Sequence, residues 1–409
     1  FGSSHGLSDA TRLVVTHQDS NMQRVLNWSG RVSSGVLGRP SLCSAVSAYS
    51  TDAGILVEES EVAKRIILNR PKVLNAVSLP MVRAMYPLYN KWSDEHRQGK
   101  ACFVVMEGAG GKAFCAGGDV VGLASDKQSS LRKDFLREEY RLNHLIKTMS
   151  MPQVALLDGI TMGGGVGLSV HGSHRVVTER TLFSMPETGI GLFPDVGGSV
   201  FLPTLPHRGL GMFLGLTGER LKGPDCLHAG IGTHYVPSDK IEELSSTLRA
   251  ASTEEDLEYV LGKFAVPAAD LPRFSLAPHL PDVAAIFTKP SLDVLMAKLR
   301  DGGTDWHQAT LKRFSSLSPT SVRVTHEQIL RGARQNALEN FRMEARIGYW
   351  MLNHGSDFDE GIRALLIDKD KNPKWNPATL EEVTPGMVSK YFEPLGENDW
   401  DPENLKTLP

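Results

Sequence analysis

The chain has 409 residues, 41% of them hydrophobic and 22% charged, with a formal net charge of −3 and a pI of about 6.5. That is enough apolar material for one large domain plus a smaller one, and it gives no whole-chain case for nucleic acid or an anionic membrane, although a local basic patch would be averaged away. No run of about twenty apolar residues is present, so a soluble chain with no membrane partner is expected.

The four cysteines, Cys43, Cys102, Cys115 and Cys226, lack C-x-x-C or Cys/His spacing, so neither a metal site nor a disulfide framework is expected. Residues 1–50 differ from the rest: eleven serines, four arginines (Arg12, Arg24, Arg31, Arg39), no lysine, and Asp9 and Asp19 as the acids. This composition matches a mitochondrial presequence or its remnant, or equally an extended polar arm. Residues 1–53 are therefore set apart from a core over 54–265 and a helical region over 266–409.

Within the core, ILVEESEVAKRIILNRP from Ile55 reads as two short strands around a polar turn. A helix follows, with Ser78 as cap, Pro80 in the first turn and Met81, Met85, Leu88 and Trp92 at helical spacing. Pro87 removes one backbone bond and is expected to kink it. Cys102–Met106 reads as a buried strand that ends in a glycine-rich loop. This loop is not a P-loop, because Met106 takes the first glycine position and Ala113 replaces the magnesium-binding hydroxyl. Neither glycine cluster has dinucleotide-binding spacing.

Residues 131–149 form an amphipathic helix with Leu131, Phe135, Leu142, Leu145 and Ile146 on one side; PQVALLDG is a second buried strand leading into Gly163–Gly165. Strand, glycine loop and helix thus occur twice. Stacked βα-type units of an α/β fold are expected, with both glycine loops at one end of a sheet. Beyond Gly198 helices dominate, at 291–299, 304–317, 321–333 and 337–353, with Ser318-Pro319-Thr320 marking one sharp start and Trp375 expected to anchor the tail.

Chemistry concentrates between Met162 and Gly198. Glycine lets a substrate approach backbone N–H groups without a Cβ clash, and two such donors aimed at one point stabilise an oxygen as it becomes negative. Glu187 and Asp195 sit among Pro, Gly and apolar residues with no cation in their immediate sequence, so desolvation should raise their pKa values and suit a base or nucleophile. Glu139 lies on a charge-rich helix, where a solvated role is the expectation, and Cys115 is read as a small buried residue.

Phe114–Asp119 (FCAGGD) and Gly159–Gly165 (GITMGGG) resemble the two signature loops of the crotonase (enoyl-CoA hydratase/isomerase) family. MGGGVGLSVHG, MPETGIGLFPDVGG, GLTGERLKG and LLIDKDKNPKWNPA are similar to its 3-hydroxyisobutyryl-CoA hydrolase branch, over about Gly54 to Leu395. The resemblance implies a crotonase-like spiral of ββα units with a helical C-terminal region, and an acyl-CoA substrate with no separate cofactor, coenzyme A being part of the substrate. It implies an oxyanion hole from Gly118 and Gly164, catalytic carboxylates Glu187 and Asp195, and Glu139 as a further substrate contact. Hydratases carry an additional glutamate two residues after the glycine triplet; this chain has Gly167 there, as the hydrolase branch does, so hydration of a double bond is not expected, and the resemblance implies thioester hydrolysis in mitochondrial valine breakdown. Family members also occur as structural proteins of the mitochondrial ribosome small subunit. The arginines of residues 1–50 keep that partner open as an alternative.

Overall fold

The computed structural model describes residues 47–125, 130–353 and 355–403. The expectations for residues 1–46, including the four arginines and Cys43, lie outside them. The described residues form eleven strands: β1 Ser47–Thr51, β2 Ile55–Glu59, β3 Ala63–Leu68, β4 Phe103–Gly108, β5 Ala113–Cys115, β6 Gln153–Leu157, β7 Ile160–Met162, β8 His174–Val177, β9 Leu182–Ser184, β10 Leu221–Lys222 and β11 His234–Tyr235.

They form a seven-stranded sheet ordered β1-β2-β3-β4-β6-β8-β11 and a four-stranded sheet ordered β10-β9-β7-β5. From β3 to β11 the large sheet is parallel, as are β5, β7 and β9 in the small one. Each turn of chain places one strand in the large sheet (β4, β6, β8) and the next in the small sheet (β5, β7, β9). This alternation is a spiral of ββα units. It adds one feature to the sequence reading: the glycine loops leave the short strands β5 and β7, not the longer strands before them.

β4 and β6 are buried on both sides and read as continuous apolar runs, as parallel strands covered on two faces must. Alternate side chains divide between two cores. Phe103, Val105, Val154 and Leu156 pack with Leu244, Leu248, Leu257 and Leu261 of the helices Ile241–Ala250 and Glu254–Phe264. Val104, Met106, Ala155 and Leu157 face the main core.

Six further helices are α1 Leu79–Arg97, α2 Val120–Ser125, α3 Ser130–Thr148, α4 Gly164–Gly167, α5 Gly198–Phe201 and α6 Leu210–Thr217. α1 runs through Pro87 as one helix; the proline sits on its exposed side. Ser78 occupies the N-cap position but makes no side-chain capping bond. The helix Pro319–Gly332 starts where expected, Ser318 Oγ accepting from Ser321 N at 3.1 Å. It packs on α5 and α6, and the helix Ala337–Met351 packs on α3 and α5. The helical region after residue 266 is thus built onto the core. β1 pairs with β2 over residues 47–51, ahead of the position 54 at which the core was expected to begin. Trp375 is half-buried and donates to Ser316 O at 3.3 Å, tying the tail to the body.

Candidate active site

Three neighbouring parallel strands of the small sheet deliver the central groups. β5 ends at Cys115 and leads to Gly118, β7 ends at Met162 and leads to Gly164, and β9 ends at Ser184 and leads to Glu187. In α/β proteins the carboxyl ends of parallel strands are where backbone donors and side chains converge on a ligand.

The first loop is rigidly held. Val77 N–H donates to Gly117 O at 2.9 Å and Asp119 N–H to Val77 O at 2.8 Å, leaving Gly118 N–H between them without a partner among the described residues. Behind it, Arg70 donates to Ala76 O at 2.7 Å and pairs with Asp119 at 2.9 Å. Gly164 opens α4, and its N–H is likewise unpaired. The two glycines are close neighbours: a Cβ added to Gly164 would lie 3.2 Å from Gly118 N and 2.8 Å from Glu139 Oε1. A side chain there would displace the Glu139 carboxylate and press on the Gly117–Gly118 backbone.

Glu187 begins a short 3₁₀ turn after Pro186 and points back across the loops; a Cβ on Gly163 (φ +44°) would meet its Oε1 at 2.8 Å. Asp195 follows on the next loop, where its Oδ2 accepts from Tyr140 Oη at 3.0 Å. Glu139 and Tyr140 both come from α3. Glu138 turns outward to a bidentate pair with Arg83, whereas Glu139 is 1% exposed. Thus Glu139 does not take the solvated position expected from its charge-rich helix.

Glu139, Glu187 and Asp195 line one cavity of about 190 Å³ together with Gly118, Gly164 and an apolar wall that includes Val120, Leu123, Phe135, Leu192, Leu352 and Phe358. All five site residues named from the sequence therefore meet. Glu139 Oε1 and Glu187 Oε2 are buried without a hydrogen-bond partner among the described residues. Burial, and then the charge of Asp195, push both glutamates well above the ordinary carboxylate range. Burial raises Asp195 to about 7 against the opposing Tyr140 bond. Three carboxyl groups lining one small cavity titrate as a set, each making the next proton harder to remove.

Cys115 lies behind the first loop, its thiol donating to Gly117 O at 3.4 Å and pushed up to about 12 by burial. A thiol of that kind is inert as a nucleophile.

Gly167 has a steric basis. A Cβ there would lie 2.5 Å from Val196 Cβ and 3.1 Å from Asn143 Nδ2, so no larger residue fits beneath Asp195 without moving that loop. Val196 itself holds φ +51°, a costly conformation for a β-branched residue.

Sequence reasoning missed Tyr140, which anchors Asp195, and Arg132. The Arg132 guanidinium is fully buried and donates to Leu123 O, Ala124 O and Leu352 O at 2.7, 3.0 and 3.1 Å. It therefore fixes two walls of the cavity from within.

A family model described as enoyl-CoA hydratase/isomerase matches residues 63–392. The chain is 46% identical over 358 residues to "3-hydroxyisobutyryl-CoA hydrolase, mitochondrial" of Xenopus tropicalis, covering 85% of this chain and 91% of the relative. The human protein of that name is 43% identical over 357 residues, with the same coverage. Among solved structures, a carnitinyl-CoA dehydratase from Mycobacterium thermoresistibile superimposes with a TM-score of 0.77 at 35% identity, covering 86% of this chain and 99% of that one. An enoyl-CoA hydratase from Rhodobacter sphaeroides does so with a TM-score of 0.75 at 34% identity, covering 85% and 99%. With its alternating ββα spiral, its paired glycine loops and these matches, the chain belongs to the enoyl-CoA hydratase/isomerase family and has the crotonase fold.

Proposed function

We propose that this chain is a mitochondrial thioester hydrolase whose substrate is 3-hydroxyisobutyryl-CoA. The observation that carries the reading is the convergence of two unpaired glycine N–H groups and buried carboxylates on one small cavity, beside a Gly167 position with no room for a further glutamate. The names of the relatives in frog and human supply the substrate and the compartment. None of the relatives named above is a ribosomal component, so they lend no support to the ribosomal alternative for residues 1–50.

In this reading the thioester oxygen sits against the N–H groups of Gly118 and Gly164, which bind it more strongly as charge develops. Glu187 attacks the carbonyl carbon, or removes a proton from a water that does so. The tetrahedral adduct then collapses with loss of the C–S bond, and the thiolate takes up a proton to leave as coenzyme A. If Glu187 attacks, a mixed anhydride forms and a later water releases the acid.

Asp195, raised to about 7, carries a proton in a fraction of molecules near neutral pH and can hand it to the thiolate or bond the substrate hydroxyl. Burial favours the protonated form of Glu139, which suits it to bond the acyl group. Single-turnover hydrolysis in ¹⁸O-labelled water detects the first route: label in the Glu187 carboxylate marks attack by Glu187, whereas label in the product acid alone fits either activated water or opening of the anhydride at the acyl carbon, and trapping the anhydride with hydroxylamine separates those two. Release of thiol from 3-hydroxyisobutyryl-CoA by the purified chain tests the reading itself; failure to hydrolyse it, with hydration of an enoyl-CoA instead, would overturn it.

A further inference from the structure

The loop that carries Asp195 has no regular secondary structure, yet side chains from outside the loop engage its backbone on both sides of the carboxylate. Gln328 Nε2 donates to Pro194 O at 2.7 Å, and His171 Nε2 bonds Val196 O at 2.7 Å. Glu344 accepts Gly197 N–H at 2.7 Å and Ser199 N–H at 2.8 Å, and takes the Ser199 hydroxyl at 2.5 Å. Asn340 Nδ2 reaches Ser199 O at 3.3 Å. Gln328 lies on the helix Pro319–Gly332, and Asn340 and Glu344 lie on the helix Ala337–Met351.

Glu344 is fully buried, with no cation paired to it among the described residues. Its interactions are all with donors: two backbone N–H groups and a hydroxyl, with Gln328 Nε2 at 3.3 Å. An ionised carboxylate is acceptor-only, so every one of these bonds uses the charged form. Burial without a counter-ion raises Glu344 to about 7, against the Ser199 and Gly197 bonds that favour the charged form, and its carboxylate organises a segment that includes Val196 at φ +51°. Glu344 does not line the catalytic cavity, whereas Asp195 and Val196 do.

We propose that Glu344 is the positioning residue for Asp195: from the C-terminal helical region it fixes the 194–197 loop and the start of α5 so that Asp195 projects into the cavity beside Tyr140. This rests on the reading of Asp195 as a catalytic carboxylate. Replacing Glu344 by glutamine sets an NH₂ group against a loop N–H, so the loop loses its acceptor on one side while the substrate cavity keeps its lining.

The test is a double-mutant cycle on the full chain with 3-hydroxyisobutyryl-CoA, using Glu344→Gln, Asp195→Asn and both together. Glu344→Gln should lower kcat by about tenfold to a hundredfold with KM nearly unchanged, the penalty of displacing a reacting group by a fraction of an ångström to an ångström. In the Asp195→Asn background the same change should cost less than about twofold, because residues that act through one another are not additive. Glu344→Asp, which keeps the acceptor charge, should recover part of the loss.

Full additivity in the cycle, or wild-type kcat in Glu344→Gln, would overturn the assignment to Glu344 alone. Wild-type turnover in Asp195→Asn would instead remove the role of Asp195 and the premise with it. Should Glu344→Gln fail to fold, Ser199→Ala deletes a single donor; a several-fold fall in kcat with the same non-additivity supports the assignment, and wild-type kcat counts against it.

Discussion

Gly167→Ala adds one methyl group against the loop that carries Asp195. The new Cβ would sit 2.5 Å from Val196 Cβ and 3.0 Å from Val196 Cγ2. Carbon atoms in ordinary contact lie about 3.5–4.0 Å apart, so the two must separate by about 1 Å. Val196 cannot simply rotate away, because its Cβ is in the clash and its carbonyl is tied to His171 at 2.7 Å. Overpacking of this kind costs about 1–3 kcal/mol, which would lower Tm by several degrees. The same shift carries the adjacent Asp195 with it, and a misplacement of about 1 Å costs about a hundredfold in kcat. Thiol release from 3-hydroxyisobutyryl-CoA and a melting curve measure both effects. Adding Val196→Gly should restore much of each, since glycine removes the clash and accepts φ +51°. Wild-type Tm and kcat in Gly167→Ala would refute the steric account. Gly167→Glu should lose hydrolysis without gaining hydration of an enoyl-CoA.

Gly164→Ala directs its methyl at Glu139 and at Gly118 N, into the space proposed for the thioester oxygen. A fall in kcat of about a hundredfold or more is expected, and unchanged kcat in a stopped assay would argue against the oxyanion role. The kcat/KM profile should rise with pH along an acid limb set above the ordinary carboxylate range, because the proposed chemistry needs Glu187 ionised, and burial and Asp195 hold its proton on. In Asp195→Asn the neighbouring charge is gone, so the limb of any residual activity should move to lower pH; a limb that stays fixed contradicts the coupling. Stability carries its own signature. Asp195 is raised to about 7 in the folded chain against about 3.9 when unfolded, so between those values the native state binds more protons and loses up to about 1.4 kcal/mol per pH unit as pH rises. Asparagine has no such proton, so the Tm advantage of Asp195→Asn over wild type should grow from pH 4 to 7 and then level off; a constant difference would exclude a buried, raised Asp195.

The carboxylates of the loops were legible because their sequence neighbours gave them away: Glu187 and Asp195 stand among proline, glycine and apolar residues with no cation beside them. Glu139 was harder to place, since its helix is full of charge. The signal lay in its register. Phe135, Glu139, Leu142 and Ile146 are spaced by four, three and four residues, so Glu139 interrupts the buried stripe while Glu138 lies about 100° away. Glu344 has the same mark, three residues after buried Phe341 and three before buried Ile347. A charged residue in an apolar stripe identifies a buried group, but its partner depends on where the helix docks, and Gly197 and Ser199 lie some 145 residues earlier in the chain. The larger strands followed from their apolar runs. β5 and β7, three residues each, owe their existence to pairing within the small sheet, and no local pattern separates them from loop, whereas β9 lies within the apolar run TLFSM, which reads as a short strand.

Everything in the proposed chemistry passes through Glu187, whose carboxylate is removed as a nucleophile or base by the nearly isosteric change Glu187→Gln. The measurement is kcat on 3-hydroxyisobutyryl-CoA beside the calorimetric affinity of the same variant for a non-hydrolysable thioether analogue. The expected result is a fall in kcat of about 10²–10⁴-fold with binding retained, and near-normal turnover in a folded, analogue-binding variant would contradict the assignment of Glu187.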